Sequence, residues 1–254
     1  MELSSFTAWR SRTCTRSTSS RPPAPVRATA RKEIMSTIAI VGGHGKIALL
    51  TTEELAAGGH SVRSLIRDPD QADDIRAVGG EPVVLDIASA TTEQLVDVVS
   101  GTDAIIFTAG AGGKQGPQAT FAVDRDGALK TIAAAEHAGV ARLLLVSYLH
   151  ADDPESVKDN PGMQPYQQAK HAADSVLRKS DLLWTILRPG VLNDDPASKR
   201  VAIGNGIKSG TTSRANVAAL LAALATSTLA ARRVLNVVDG ETDIPIALGQ
   251  VASL

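Results

Sequence analysis

Short apolar runs alternate with longer amphipathic stretches from residue 37 to residue 189, and this alternation constrains the fold most strongly. The runs VVLDI, AIIFTA and LLLVS are apolar on both faces, as expected of strands that helices cover on two sides. Strands joined by helices through right-handed crossovers form a doubly wound parallel sheet. The chain is therefore predicted to be an α/β protein.

The same patterning predicts the position of each element. Strands are expected at residues 37–41, 61–66, 82–87, 103–109, 141–147 and 182–189. Helices are expected after the first strand and at residues 71–78, 93–99, 119–138 and 163–179, with Asp124 and Asp126 as helix caps in the third of these stretches. Residues 190–254 predict a short strand in RVAIG, a helix at 213–226, a strand at 234–240 and a final short helix. We expect 36–254 to be a single domain, with 190–254 forming its substrate side.

The first 35 residues differ from the rest in charge and composition. They carry seven basic and two acidic residues and are rich in Ser, Thr and Pro, whereas acidic residues are in excess beyond them. Such a segment is predicted to be disordered, because it has too little apolar surface to bury. Three explanations stay open: a start codon misassigned upstream of Met35, an organelle transit peptide, or a functional basic arm.

The composition narrows the classes of function. An acidic body argues against nucleic acid as the main partner. The sequence has a single cysteine, Cys14, and five scattered histidines, so we expect neither a disulfide nor a metal site. No apolar run reaches the roughly 20 residues that span a bilayer. We expect a cytoplasmic protein with a small-molecule partner, or an imported one if the first segment is a transit peptide; the oligomeric state stays open.

A glycine-rich turn, GGHGKIA (42–48), follows the first strand and opens a helix. Gly42 permits a tight turn, and Gly45 lets the backbone approach a pyrophosphate at the helix N-terminus. Lys46 and Ile47 begin that helix and are included in the predicted cofactor site. In a Rossmann-type α/β chain this GxxGxxA spacing predicts a dinucleotide ligand, whereas its structural alternative is a sharp strand–helix connection.

The end of the second strand indicates which dinucleotide is bound. An acidic residue there favours NAD, while a cation favours the 2′-phosphate of NADP. The first polar residue after the strand is Arg67, whose guanidinium can hold phosphate in a bidentate fork. NADP is therefore the expected cofactor and NAD the alternative, since Asp68 follows directly.

Together these motifs and their order resemble the short-chain dehydrogenase/reductase superfamily, and most closely its small atypical NAD(P)H-binding branch, related to nitrogen-metabolite-repressor regulators. The resemblance covers residues 37 to about 240. It implies that Asp86 and Ile87 flank the adenine and that Thr108, Ala109 and Gly110 line the cofactor. It also implies that Pro189 and Gly190 lie near the nicotinamide.

The resemblance further implies a catalytic set of Ser147, Tyr166 and Lys170. In the family, hydride transfer at a carbonyl or alcohol carbon is matched by proton transfer through a tyrosine. Tyr166 and Lys170 lie four apart in YQQAK and so share one helix face. The positive charge of Lys170 would favour the phenolate, and Ser147 would hydrogen-bond the substrate oxygen. The alternative is an exposed tyrosine beside a lysine that only binds the cofactor ribose.

The gap between Ser147 and Tyr166 is longer than in classical members, so the insert must fold back for Tyr166 to reach the nicotinamide. The expected function is an NADP-dependent oxidoreductase that reduces a small carbonyl or quinone-like acceptor. A non-catalytic NADP(H)-binding redox sensor is the alternative, and a sugar-nucleotide epimerase ranks third because residues 190–254 are short for a substrate domain.

Overall fold

A computed structural model describes residues 35–112 and 115–252. The predictions for residues 1–34 concern a segment outside the described residues. From Met35 onward the chain forms one compact unit.

The β-branched and aliphatic runs form strands, as the alternation predicts. Their bounds are β1 (Thr37–Val41), β2 (Ser61–Ile66), β3 (Glu81–Val84), β4 (Ala104–Phe107), β5 (Arg142–Val146), β6 (Leu183–Pro189), β7 (Val191–Asn193), β8 (Arg200–Ile203), β9 (Thr211–Ser213), β10 (Arg233–Asp239) and β11 (Thr242–Asp243).

The helices alternate with these strands. Their bounds are α1 (Lys46–Ala57), α2 (Ala72–Ala77), α3 (Thr92–Val99), α4 (Gly116–Thr120), α5 (Ala128–Ala138), α6 (Gln164–Leu177), α7 (Arg214–Ala225) and α8 (Ile244–Ala252). Between α4 and α5 the chain stays helical but widens into a π-helix over Phe121–Gly127.

Within the described part of the chain, the main sheet has nine strands in the order β11-β8-β10-β6-β5-β4-β1-β2-β3. The strands from β3 to β10 are parallel, while β8 pairs antiparallel with β10 and with β11. The order places β1 beside β4, where the chain reverses its direction across the sheet. Ligands of open α/β sheets bind at the carboxyl ends of strands at such a switch point. The doubly wound Rossmann-type prediction is confirmed.

Two apolar cores sandwich the sheet, because the strands are buried on both faces. Alternate residues of β1 separate between them: Ile38 and Ile40 pack with α1 and α7, whereas Ala39 and Val41 pack with α3 and α5. This arrangement explains why the strand sequences lack a polar face.

The C-terminal part contributes more to the sheet than the sequence suggests. β10 pairs parallel with β6 and extends the main sheet, so it belongs to the core of the fold. β7 and β9, which the sequence patterning does not predict, form a separate two-stranded parallel sheet. Among the described residues, no helix is both long and apolar enough to cross a membrane.

Candidate active site

The glycine turn after β1 depends on close backbone approach. Gly42 has a φ of +86°, and a Cβ atom built there would lie 2.6 Å from the Cα of Ala109. A side chain at Gly42 would therefore collide with the segment after β4. Gly45 is the extended N-cap of α1, which leaves the first amides of that helix available to an anion.

A cavity of about 460 Å³ opens beside this turn, at the carboxyl ends of β1, β2 and β4. Its lining contains eight residues of the predicted cofactor site, namely Gly42, Gly45, Arg67, Asp86, Ile87, Thr108, Ala109 and Gly110. The remaining predicted cofactor residues, Lys46, Ile47, Lys170, Pro189 and Gly190, do not line it. The cavity thus corresponds to the adenosine and pyrophosphate half of a dinucleotide.

Arg67 lies where a 2′-phosphate selector is expected. It is exposed at the end of β2, lines the cavity, and makes no hydrogen bond or ion pair with any residue that the structure describes. The following Asp68 caps a short 3-10 turn, since its carboxylate accepts a hydrogen bond from the Asp70 amide at 3.0 Å. The arginine is therefore free for a ligand, while the neighbouring acid has a structural role.

The ends of β3 and β4 shape the opposite wall. Oδ1 of Asp86 accepts a hydrogen bond from the Ala88 amide at 3.0 Å, so this carboxylate organises its own loop. The Thr108 hydroxyl donates to the carbonyl of Val41 at 3.3 Å and ties the end of β4 to the glycine turn. Both interactions hold the wall of the cavity in place.

Lys46 and Ile47 point elsewhere. Ile47 is buried in the core between the sheet and α7. Nζ of Lys46 pairs with the Asp194 carboxylate at 2.7 Å, and Asp194 also pairs with Arg214 at 2.7 Å. This exposed trio links the start of α1 to the segment that follows β7.

Tyr166 and Lys170 lie on one face of α6, as their spacing predicts. Nζ of Lys170 lies 5.5 Å from the centre of the Tyr166 ring. Lys170 is buried, and its ammonium donates a hydrogen bond to the carbonyl of Val146 at 3.2 Å and pairs with Asp124. These contacts fix the ammonium beside the phenol.

Asp124 is the functional residue that sequence patterning missed. It was interpreted as a helix cap, but it lies inside the π-helix with its carboxylate 3.1 Å from Lys170. Its other oxygen accepts a hydrogen bond at 2.9 Å from the amide of Ala111, in the cavity lining. A chain of contacts therefore runs from the cavity rim through Asp124 and Lys170 to Tyr166.

The π-helix is what turns Asp124 inward, and π-helical segments are frequent at functional sites. Gly127 allows it to approach the sheet, because a Cβ there would lie 2.8 Å from Ile87. Three residues further along, the Lys130 ammonium donates to the carbonyls of Ile87 and Ala90 at 2.7 and 2.8 Å. Lys130 therefore supports the cavity wall.

The pKa of Tyr166 is set by opposing influences. Burial raises the pKa of its phenol, and Lys170 acts in the opposite direction, whereas Asp124 and Tyr148 raise it further. The net shift is upward, so the phenol is protonated at neutral pH. Burial also works to lower the pKa of Lys170, but Tyr166 and Asp124 outweigh it, so Lys170 remains charged.

The insert between Ser147 and Tyr166 folds back against α6. Asp152 pairs with Arg178 at 2.8 Å and with Arg188 at 2.9 Å. The Gln167 side-chain amide donates to the carbonyl of Ala151 at 2.7 Å, and two 3-10 turns, Pro154–Val157 and Pro161–Met163, shorten the remainder. The insert is thus an ordered strap that leads directly into the turn before Tyr166.

Ser147 is buried at the end of β5, and its hydroxyl has no hydrogen-bond partner of good geometry among the described residues. Burial raises the pKa of the Asp174 carboxyl overall. The Ser147 hydroxyl lies close enough to Asp174 to act in the opposite direction. Asp174 is in turn held by Arg188 at 2.7 Å. The catalytic role assigned to Ser147 stays a prediction.

Pro189 ends β6, and Gly190 follows it where two backbones meet. The amide of Gly190 donates to the carbonyl of Val237 at 3.0 Å, and a Cβ there would collide with the Gly210 carbonyl oxygen. Only glycine fits this approach between the end of β6 and the segment before β9. Whether either residue meets a nicotinamide stays a prediction.

The sheet order, the glycine turn and the cavity define a Rossmann-type dinucleotide-binding protein. The residues present fit such a ligand, because the first amides of α1 are available beside the glycine turn and Arg67 lines the cavity without an ion pair to any described residue.

Comparison with known proteins gives the family. Residues 42–228 match the model of an NAD(P)H-binding family. Bacillus subtilis YhfK, named as an uncharacterized sugar epimerase, is 38% identical over 189 residues, which are 74% of this chain and 87% of YhfK. The chain belongs to this NAD(P)H-binding family, of the atypical short-chain dehydrogenase/reductase type.

Solved structures agree in fold. A Bacillus halodurans protein described as an NAD-dependent epimerase/dehydratase superposes with a TM-score of 0.78 at 29% identity, covering 85% of this chain and 99% of that one. A Veillonella parvula short-chain dehydrogenase/reductase solved with NADP gives a TM-score of 0.64 at 21% identity, covering 82% and 97%. The second likeness concerns the fold alone.

Proposed function

We propose that this protein is an NADP-dependent oxidoreductase that reduces a small carbonyl or quinone-like acceptor, with Tyr166 as the proton donor. The observation that carries the proposal is the buried pair of Lys170 and Asp124 beside Tyr166, joined through Ala111 to the cofactor cavity. A buried ion pair that touches both a phenol and a cofactor loop is poorly explained by stability alone, since such pairs seldom stabilise a fold more than apolar packing does.

The protonation of Tyr166 favours reduction of the acceptor. Burial raises the pKa of the phenol above its ordinary value, and Lys170 only partly offsets this effect. A protonated phenol can donate a proton to an acceptor oxygen at neutral pH. A bound reduced nicotinamide would supply the hydride to the acceptor carbon. Lys170 then stabilises the phenolate that remains until solvent protonates it again.

Arg67 supports NADP as the cofactor. Its guanidinium is exposed in the cavity lining and unpaired in the described part of the chain, whereas Asp68 is engaged in its own turn. A 2′-phosphate provides the anion that this arginine lacks. The first amides of α1 and the glycine turn would hold the pyrophosphate.

The test of this function is NADPH oxidation against a panel of aldehydes, ketones and quinones, with wild type and Tyr166→Phe. We expect turnover by the wild type and a loss of about 100-fold or more in kcat for the variant, with NADPH affinity retained. Tight NADPH binding without turnover by either protein would contradict the proposal and favour a redox sensor.

A sugar epimerase is the second candidate, because YhfK is named a sugar epimerase and the Bacillus halodurans protein is described as an epimerase/dehydratase. An epimerase returns the hydride to the same substrate and so produces no net oxidation of the cofactor. Interconversion of a UDP-hexose with the total NADPH and NADP content unchanged would favour this candidate. Net NADPH consumption stoichiometric with a reduced product would exclude it.

A further inference from the structure

The two tyrosines of the whole chain, Tyr148 and Tyr166, are in ring contact. Their ring centres lie 5.6 Å apart with an interplanar angle of 63°, an edge-to-face arrangement. His150 contacts Tyr148 in the same way, at 5.6 Å and 67°. The Tyr148 ring is therefore fixed between Tyr166 and the imidazole, and aromatic pairs of this geometry are favourable.

Both tyrosine residues are half-buried, and neither hydroxyl makes a hydrogen bond to any residue of the described ranges 35–112 and 115–252. Tyrosine hydroxyls that leave bulk solvent are normally hydrogen-bonded. Two phenols in ring contact, one of them beside Lys170, thus offer two donors that a ligand oxygen can use.

Ser147 is placed differently from Tyr148, although it is the preceding residue. Its hydroxyl lies beside the Asp174 carboxylate, which Arg188 binds at 2.7 Å. Oγ of Ser147 and Oδ1 of Asp174 are both buried and otherwise unpaired, so each is the natural partner of the other. This pairing leaves Tyr148 as the hydroxyl next to Tyr166.

We propose that Tyr148, rather than Ser147, binds the acceptor oxygen beside Tyr166. Tyr148 donates a hydrogen bond to the oxygen on which negative charge develops and transfers no proton, while Tyr166 supplies the proton. The inference rests on the proposed function. It specifies the acceptor as one whose reducible oxygen fits between two phenols, with a flat conjugated carbonyl or quinone packing against the Tyr148 ring.

The kinetic test compares Tyr148→Phe with Ser147→Ala. Tyr148→Phe keeps the ring contacts and removes only the hydroxyl, so we expect kcat/KM to fall by about 10- to 100-fold while NADPH affinity stays within about twofold. Ser147→Ala is expected to lower kcat/KM by a smaller factor than Tyr148→Phe does. A Tyr148→Phe enzyme with kcat/KM within about threefold of wild type, or a larger loss in Ser147→Ala, would overturn the assignment.

A second measurement does not depend on turnover. Uniform 3-fluorotyrosine labelling gives two 19F resonances, which Tyr148→Phe and Tyr166→Phe assign. Adding benzaldehyde to the NADP complex is expected to shift both resonances along one saturation curve. A shift of the Tyr166 resonance alone, or of neither, would refute the role of Tyr148.

The combined results separate the two proposals. Turnover by the wild type together with a Tyr148 resonance that does not shift rejects the role of Tyr148 and leaves the proposed reductase function standing. Shifts of both resonances without turnover against any acceptor support the binding role of Tyr148 and reject the reductase. Absence of both turnover and shifts rejects both.

Discussion

Nζ of Lys170 lies 3.1 Å from Oδ1 of Asp124, and both side chains are almost wholly shielded from solvent, with 5% and 1% exposed. The pair joins α6 to the π-helix and, through the Ala111 amide, to the rim of the cofactor cavity. A cofactor that contacts this rim would therefore act on the same carboxylate that holds Lys170.

Replacing Asp124 by Asn leaves Lys170 buried without a counter-ion. Breaking a buried pair in this way is expected to lower the free energy of unfolding by about 3 kcal/mol, measured by urea denaturation. Asp126→Asn is the matched control, because Asp126 is partly exposed and pairs with the neighbouring Arg125. An equal loss in both variants would contradict the role of the buried pair.

The pH dependence of the same comparison follows from Lys170. Its folded pKa is raised, so its contribution to stability is fully present below the unfolded value of about 10.4 and is lost as pH rises through the folded value. The variant's Lys170 is buried without a counter-ion, which lowers its pKa, so the stability difference between wild type and Asp124→Asn should be constant at and below neutral pH and shrink at alkaline pH. A difference that is already absent at neutral pH would show that the pair does not hold a charged Lys170 there.

Lys170→Met is expected to lower kcat by about 100-fold, because the phenolate left by proton transfer loses its neighbouring charge. The pKa of Tyr166 should rise, since Lys170 acts to lower it, and tyrosinate absorbance reports this in a chain with two tyrosines. Lys179→Met, at an exposed position just beyond α6, is the control.

A double variant separates stability from chemistry at this pair. Lys170→Met with Asp124→Leu removes both charges together, so it should recover much of the stability that Lys170→Met loses. Activity should stay low, because the phenol still lacks its cation. Recovery of activity along with stability would assign the pair a purely structural role.

Arg67→Ala is expected to weaken NADPH binding by about 10- to 100-fold and to leave NADH binding within about twofold, since only NADPH carries the 2′-phosphate. Fluorescence titration measures both affinities. Arg76→Ala is the matched control, because Arg76 lies on α2 outside the cofactor cavity and pairs with Asp73. An unchanged ratio of the two affinities in Arg67→Ala would refute the role of this arginine.

Asp152→Asn should loosen the insert that leads into α6. Burial acts to raise the pKa of Asp152, but Arg188 and Arg178 lower it overall, so its ion pairs stabilise the protein above the unfolded pKa of about 3.9. That contribution is lost as pH falls through the depressed value. Because the side chain is 43% exposed, screening limits the expected loss at pH 7 to about 1 kcal/mol.

Asp152→Asn should raise the activation free energy of turnover by more than it lowers the free energy of unfolding, since the strap carries Tyr148 and precedes Tyr166. Asp159→Asn, at an exposed position of the same insert, is the control. Limited proteolysis of the insert provides the structural readout. Equal cleavage rates in Asp152→Asn and Asp159→Asn would contradict the anchoring role of Asp152.

The alternation of apolar runs predicted the sheet because burial on both faces leaves a signal within each strand. Contacts between residues that are far apart in the sequence left no comparable pattern in the sequence. The stretch 119–138 was predicted as one regular helix, whereas a π-helix interrupts it and turns Asp124 from a cap position to the site. One extra residue per turn changes which side chains face inward without changing the local composition.

The candidate site was predictable where its residues are close in sequence. Tyr166 and Lys170 follow from helical spacing, and the glycine turn follows from its position after β1. The partners of Lys46 and Ser147 could not be predicted, because Asp194 and Asp174 come from elements that only the tertiary fold brings near. A short local motif therefore located the phenol but not the carboxylates around it.

The most direct test of the account is transfer of deuterium to an acceptor carbon from NADPH in which both hydrogens at C4 of the nicotinamide are replaced by deuterium, followed by mass spectrometry of the product. Wild type is expected to label the product, and Tyr166→Phe to do so at least about 100-fold more slowly while still binding NADPH. Labelling by Tyr166→Phe at the wild-type rate, or an unlabelled product from wild type, would contradict proton donation by Tyr166 in a hydride transfer.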